Sequence, residues 1–210
     1  IFRTGKTEGN PADLHLYVHQ LQALAKAQNH QSYVVTTGTG SGKSLAFFVP
    51  IIDRILKAKA TDPQKHTRAI VIYPMNALAN SQLEELDKFL HGYPEGQAPF
   101  TVARYTGQES ATERQEIASN PPDILLTNFM MLELILTRFE SVDRQVVEHC
   151  QALEFLVLDE LHTYRGRQGA DVALLVRRLR ELLQADQLLF IGASATMSST
   201  GTQADRNKTV

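Results

Sequence analysis

A chain of 210 residues, 43% apolar and 21% charged, can bury one substantial core, and so ordinary a composition excludes disorder and fibrous repeats. A formal net charge of −2 excludes a wholly basic nucleic-acid coat, so any nucleic acid must be held in a local groove. The one cysteine, Cys150, excludes an internal disulfide or a cysteine-ligated metal within this sequence and is expected as a small core residue.

Taken in chain order, strands are expected at 33–37, 68–74, 100–106, 123–128, 154–159 and 188–193. Several are apolar throughout, as strands covered on both faces are. Helical patterns separate them. After the first strand, Leu45, Phe48, Ile52, Ile55 and Leu56 share a face, with a kink expected at Pro50. Near the end, Val172, Leu175, Val176, Leu179 and Leu182 repeat the spacing and leave Arg177, Arg178 and Arg180 on solvated faces. Alternating strands and helices imply an α/β fold, a mostly parallel sheet with helices on both faces and a ligand crevice at the carboxyl ends of the strands. Loops are expected at 60–67, 91–99 and 119–122. The longest apolar run, near 129–136, is broken by Glu133, so no membrane span or signal peptide is expected, and a cytoplasmic protein is. The seven histidines lack metal-ligand spacing. Ile1 in place of Met and a polar, breaker-rich stretch at 198–210 suggest an excised domain. The division expected is an extension at 1–10, a domain at 11–197 and a tail at 198–210.

Three motifs carry chemistry. Thr36-Thr37-Gly38-Thr39-Gly40-Ser41-Gly42-Lys43-Ser44 joins a strand to a helix, and its glycines let successive backbone N–H groups point at an anion that the helix N-terminus also attracts. Lys43 is placed to reach the β- and γ-phosphates of a nucleotide, and Ser44 to ligate Mg²⁺. Gly5-Lys6-Thr7 has no strand before it and is a decoy. The strand Phe155–Leu158 ends in Asp159-Glu160-Leu161-His162. Asp159 is expected to hold Mg²⁺, and Glu160 to position and deprotonate the attacking water. The last strand ends in Ser194-Ala195-Thr196, whose hydroxyls can hydrogen-bond His162.

Together these residues resemble the first RecA-like, P-loop domain of superfamily 2 helicases of the DEAH/DExH-box kind, over nearly the whole chain. Thr37 stands where the general phosphate-loop pattern has Gly, a departure common in helicase versions. The resemblance implies an ATP-binding loop at Thr37, Gly38, Thr39, Gly40, Ser41, Gly42, Lys43 and Ser44, with Gln20 reading adenine. It makes Lys43, Asp159, Glu160 and His162 catalytic, and Ser194 and Thr196 coupling residues. Pro74, Met75, Asn76, Gly107, Thr127 and Asn128 are then expected along the nucleic-acid backbone. Tyr164-Arg165-Gly166-Arg167 looks like bacterial DNA repair and phage-defence helicases and adds Arg165 and Arg167 to that set. His162, where DEAD-type RNA helicases usually carry Asp, leans the reading toward DNA. ATP and Mg²⁺ are the implied cofactors; DNA, a second RecA-like lobe and an accessory subunit are the implied partners. Rival readings are a double-strand translocase of a defence complex that does not unwind, an RNA helicase, and a nucleotide-binding module whose ATPase has decayed.

Overall fold

The computed structural model describes residues 15–38, 40–62, 64–90, 98–138 and 140–195. Six strands, β1 (Tyr33–Thr36), β2 (Ala69–Tyr73), β3 (Val102–Tyr105), β4 (Ile124–Asn128), β5 (Phe155–Leu158) and β6 (Leu189–Ser194), form one sheet in the order β1-β6-β5-β2-β4-β3. Every pairing is parallel. All six lie within the spans expected from sequence, give or take a residue at the ends.

Among the described residues seven α-helices cover the sheet: α1 (Val18–Gln28), α2 (Lys43–Thr61), α3 (Asn76–Leu90), α4 (Ala111–Ser119), α5 (Phe129–Thr137), α6 (Ser141–Glu148) and α7 (Gly166–Leu183). The strand alternation divides the core in two. Ala69, Val71 and Tyr73 of β2 pack with Ala23, Phe47, Ile51 and Leu86 from α1, α2 and α3. Ile70 and Ile72 face Met131, Val146, Leu175 and Leu179 from α5, α6 and α7. Every residue of central β2 is therefore buried. The edge strand β1 is different, because only Tyr33 and Val35 are covered while Val34 is 43% exposed. Cys150 is buried as expected and donates to the Val146 carbonyl.

One detail departs from the sequence pattern. Leu182 is exposed and Leu183 is buried in its place at the end of α7. Helix α2 runs through Pro50, which has no N–H to offer the Ala46 carbonyl one turn back. The Tyr33 hydroxyl supplies the missing donor at 2.8 Å from within the core. Tyr33→Phe should then leave that carbonyl unsatisfied and cost about 1–3 kcal/mol, read as a lower urea midpoint at unchanged slope. An unchanged midpoint would show that water fills the role.

The Arg cluster of α7 lies on solvated faces, as expected. Arg177 pairs with Glu181, Arg178 with Glu133, and Arg180 lies over the Phe190 ring. Among the described residues no helix is long and apolar enough to cross a membrane.

Candidate nucleotide site and nucleic-acid rim

Because all strands run parallel, their carboxyl ends share one rim, and the strand order divides it. The β1, β6 and β5 ends carry the glycine loop, Ser194 and Asp159; the β2, β4 and β3 ends carry Pro74–Asn76, Asn128 and Thr106–Gly107. Register makes the halves adjacent. Thr36 lies opposite Ser194, Leu158 bridges Gly192 and Ile72, and Tyr73 lies opposite Asn128.

The loop between β1 and α2 turns through Gly40 and Gly42, with φ of 74° and 73° in the left-handed region. At Gly42 an added Cβ would also sit 2.7 Å from Gln20 Nε2, so the Gln20 amide would have to shift. Thr37 has a local use: its hydroxyl meets that of Ser41 at 2.6 Å and braces the loop. Lys43 Nζ donates back to the Thr37 and Gly38 carbonyls at 3.0 and 3.2 Å. The ammonium is thus folded back onto the loop that it follows. Thr39 lies outside the described residues, as do Thr196, the decoy Gly5-Lys6-Thr7 and the stretches 1–10 and 198–210.

Gln20 is buried rather than on a helix surface. Its Oε1 accepts from the Tyr17 backbone N–H, which caps α1, and its Nε2 donates to the Gly42 carbonyl, both at 2.8 Å. Its first role is to lock α1 against the phosphate loop. One amide hydrogen and one lone pair remain for a base edge.

The acidic motif leaves β5 through a tight bend. Glu160 adopts φ 48°, a left-handed conformation costly for a non-glycine residue, followed by a 3₁₀ turn over Leu161–Thr163. Asp159 is 9% exposed and accepts from the Glu160 backbone N–H at 2.8 Å. Burial pushes its carboxyl up to about 6; the neighbouring Glu160 charge adds to this, while that amide, Lys43 and His162 oppose it. The buried Glu160 Oε2 has no hydrogen-bond partner among the described residues. His162 Nδ1 lies 3.2 Å from it, but only the contact of His162 Nδ1 with Ser194 Oγ, also 3.2 Å, has hydrogen-bond geometry. Ser194 donates its one proton to the Ala195 carbonyl at 2.8 Å. The expected link between the acidic motif and the β6 end is present.

The raised Asp159 carboxyl gives a stability test. A carboxyl titrating higher folded than unfolded favours the fold fully only below its unfolded value of 3.8, and that contribution is lost as pH rises through about 6. Asp159→Asn should therefore stabilise the nucleotide-free domain by up to about 3 kcal/mol above pH 6, with the gain vanishing below pH 4. Chemical denaturation at pH 7 and pH 4 reads it. An equal effect at both would trace the change to packing instead.

Along the other half of the rim, Met75 is 60% exposed and Met130 71% exposed, and they flank a groove also lined by Pro74, Asn76, Asn128, Tyr164 and Gln168. Thr127 is placed differently from expectation. It is fully buried and its hydroxyl donates to the Tyr105 carbonyl at 2.6 Å, so it ties β4 to β3 beneath the rim surface. Asn128 caps α5 through the Met131 N–H. Gly107 is exposed, with φ of 88°. Arg165 and Arg167 are exposed at the start of α7, and neither forms an ion pair among the described residues. No three His, Cys, Asp or Glu side chains converge on a metal site among the described residues. Nor does any Lys, Arg or His ion-pair with the buried Asp159 there. The Ser44 hydroxyl and the Asp159 carboxylate are oxygen donors of the type Mg²⁺ takes, one or two at a time, with phosphates and water completing its shell.

A strand–glycine loop–helix cradle facing an acidic pair across a parallel sheet defines a P-loop nucleotide-binding domain of RecA-like form. The chain belongs to the DEAD/DEAH box helicase family, whose model matches residues 17–204. It is 32% identical over 186 residues to the uncharacterized ATP-dependent helicase YprA of Bacillus subtilis, covering 88% of this chain and 23% of that protein. Among solved structures it resembles Mycobacterium smegmatis helicase Lhr bound to ssDNA and AMP-PNP, with a TM-score of 0.70 and 29% identity, covering 90% of this chain and 23% of that one. It also resembles the DUF1998 helicase MrfA bound to DNA, with a TM-score of 0.71 and 28% identity, covering 92% of this chain and 26% of that one. The chain thus spans about a quarter of these relatives.

Proposed function

We propose that this chain is the ATP-binding motor lobe of an ATP-dependent DNA helicase or translocase. The observation that carries the reading is that the glycine loop, Ser194 and Asp159 share one rim with Pro74–Asn76, Asn128 and Thr106–Gly107, the two sets meeting at the β5–β2 boundary. Lys43 leaves its loop carbonyls to bind the β- and γ-phosphates, and Gln20 holds the loop while its remaining amide capacity faces adenine. A Mg²⁺ held by Ser44 and Asp159 would neutralise charge on the phosphates during transfer. Glu160, whose buried Oε2 has no hydrogen-bond partner among the described residues, accepts the proton of the attacking water. His162 and Ser194 relay the state of this site to the β6 end. A second lobe supplies an arginine finger, worth about 10³–10⁵ in rate, so the isolated lobe binds nucleotide and turns it over slowly.

DNA is favoured over RNA by the Tyr164-Arg165-Gly166-Arg167 segment and by the DNA-bound relatives. Contacts are mostly to phosphate, and Arg165 and Arg167 add a patch beside the groove. Arg165→Ala with Arg167→Ala should weaken DNA stimulation of the full-length enzyme and leave nucleotide affinity alone. The salt slope for single-stranded DNA should become shallower by about 0.7 for each phosphate that is no longer neutralised. Unchanged stimulation and slope would make the segment a solvated turn. Strand displacement from a forked duplex by the full-length protein tests unwinding. Triplex displacement without strand separation would favour a double-strand translocase, and displacement confined to RNA would overturn the DNA reading.

A further inference from the structure

The nucleic-acid half of the rim is fastened by a closed ring of hydrogen bonds that includes three residues outside the helicase motifs. Arg104, on β3, forks: Nη1 donates to Asn80 Oδ1 of α3 at 2.6 Å, and Nε to Glu109 Oε1 at 2.7 Å. Glu109, with a side chain only 3% exposed, accepts the backbone N–H groups of Thr106 and Gly107 at 2.7 and 2.9 Å and the Thr106 hydroxyl at 3.0 Å. Burial pushes the Glu109 carboxyl up, but these donors outweigh it and hold it below the usual carboxylate range. The Thr106 carbonyl accepts from Asn128 Nδ2 at 3.0 Å, and the same Nδ2 donates to Asn76 Oδ1 at 2.6 Å. Asn76 and Asn80 lie one turn apart on α3, which closes the ring.

Two consequences follow from the donors used. The amides of Thr106 and Gly107, which an open glycine loop would offer to phosphate, already serve Glu109. The Asn128 side chain is spent on its cap, on Thr106 and on Asn76. The ring therefore fixes the mutual placement of the α3 start, the β3 exit loop and the β4–α5 junction, three elements that have to meet one nucleic-acid backbone.

We propose that Asn80, Arg104 and Glu109 are positioning residues that set the nucleic-acid path by holding these three elements as one unit, with no direct contact to the strand. This rests on the DNA-motor reading above. Arg104 acts as a planar fork, not as a charge: a lysine keeps the charge but cannot reach Glu109 and Asn80 together in that geometry.

The test uses the full-length protein and a single-stranded oligothymidylate, measuring ATP turnover at saturating ATP at a temperature where thermal melts show every variant folded. Arg104→Lys and Asn80→Ala should each raise the half-saturating DNA concentration roughly five- to tenfold, with DNA-free turnover and ATP affinity unchanged. The double variant should be no worse than the poorer single, since either change opens the same ring. Wild-type half-saturation in Arg104→Lys would mean that charge alone matters, and multiplying effects in the double variant would mean that no ring couples the sites; either overturns the assignment. A wild-type turnover indifferent to DNA would overturn the DNA reading and this assignment with it, whereas a DNA-stimulated wild type with unaltered variants would overturn this assignment alone.

Discussion

Lys43→Ala is expected to reduce nucleotide affinity about 100-fold or more while leaving the fold nearly untouched. Among the described residues the ammonium hydrogen-bonds to the Thr37 and Gly38 carbonyls of the loop. Losing those bonds exposes two carbonyls to water, which satisfies them at little cost. In the bound state the same ammonium makes charge-assisted bonds to phosphate oxygens, worth about 1.5–3 kcal/mol each, and two of them account for the loss. Titration calorimetry of the domain with ATP and Mg²⁺ measures the affinity, and a thermal melt of the same sample checks the fold. Equal affinity for the two proteins would remove the glycine loop from the nucleotide site.

Glu160→Gln should separate binding from chemistry in the full-length enzyme. The left-handed backbone at Glu160 and its amide bond to Asp159 do not depend on the side-chain charge, so the loop keeps its shape and ATP still binds. The amide cannot accept the water's proton, and turnover should fall by about 10²–10⁴. Glu160 Oε2 is the expected acceptor because it is buried and, apart from the 3.2 Å approach of His162 Nδ1, has no hydrogen-bond partner among the described residues. Near-normal DNA-stimulated turnover in this variant would show that another group takes the proton.

The sheet was legible in the sequence because parallel strands covered on both faces are written as continuous apolar runs, and Ala69–Tyr73 and Phe155–Leu158 are such runs. That the glycine loop with Lys43 and the acidic pair share one rim was legible because each motif is local in sequence and sits at a strand end. The hydroxyl at Ser194 also found its expected partner in His162. What stayed hidden depends on register between distant strands. An apolar strand announces which faces are buried, yet not that Thr127 would turn its hydroxyl inward to the neighbouring strand's Tyr105 carbonyl. Arg104 and Glu109 read as ordinary charges, because the chain gives no sign that Asn80, 24 residues from Arg104, comes within reach. A local clue did exist: an acidic residue two places after a glycine turn is suited to accept the turn's amides. Pro50 announced a lost helix bond, but the donor that replaces it, Tyr33, became visible only once β1 was packed against α2.

The most direct test of a lobe whose nucleotide and nucleic-acid halves share one rim is ATP turnover by the full-length protein as single-stranded DNA is added. A saturable rise in rate is expected, lost in Glu160→Gln and shifted to higher DNA concentration when the ring around Arg104 is opened. A rate at saturating ATP that stays flat across the titration would contradict coupling between the two halves.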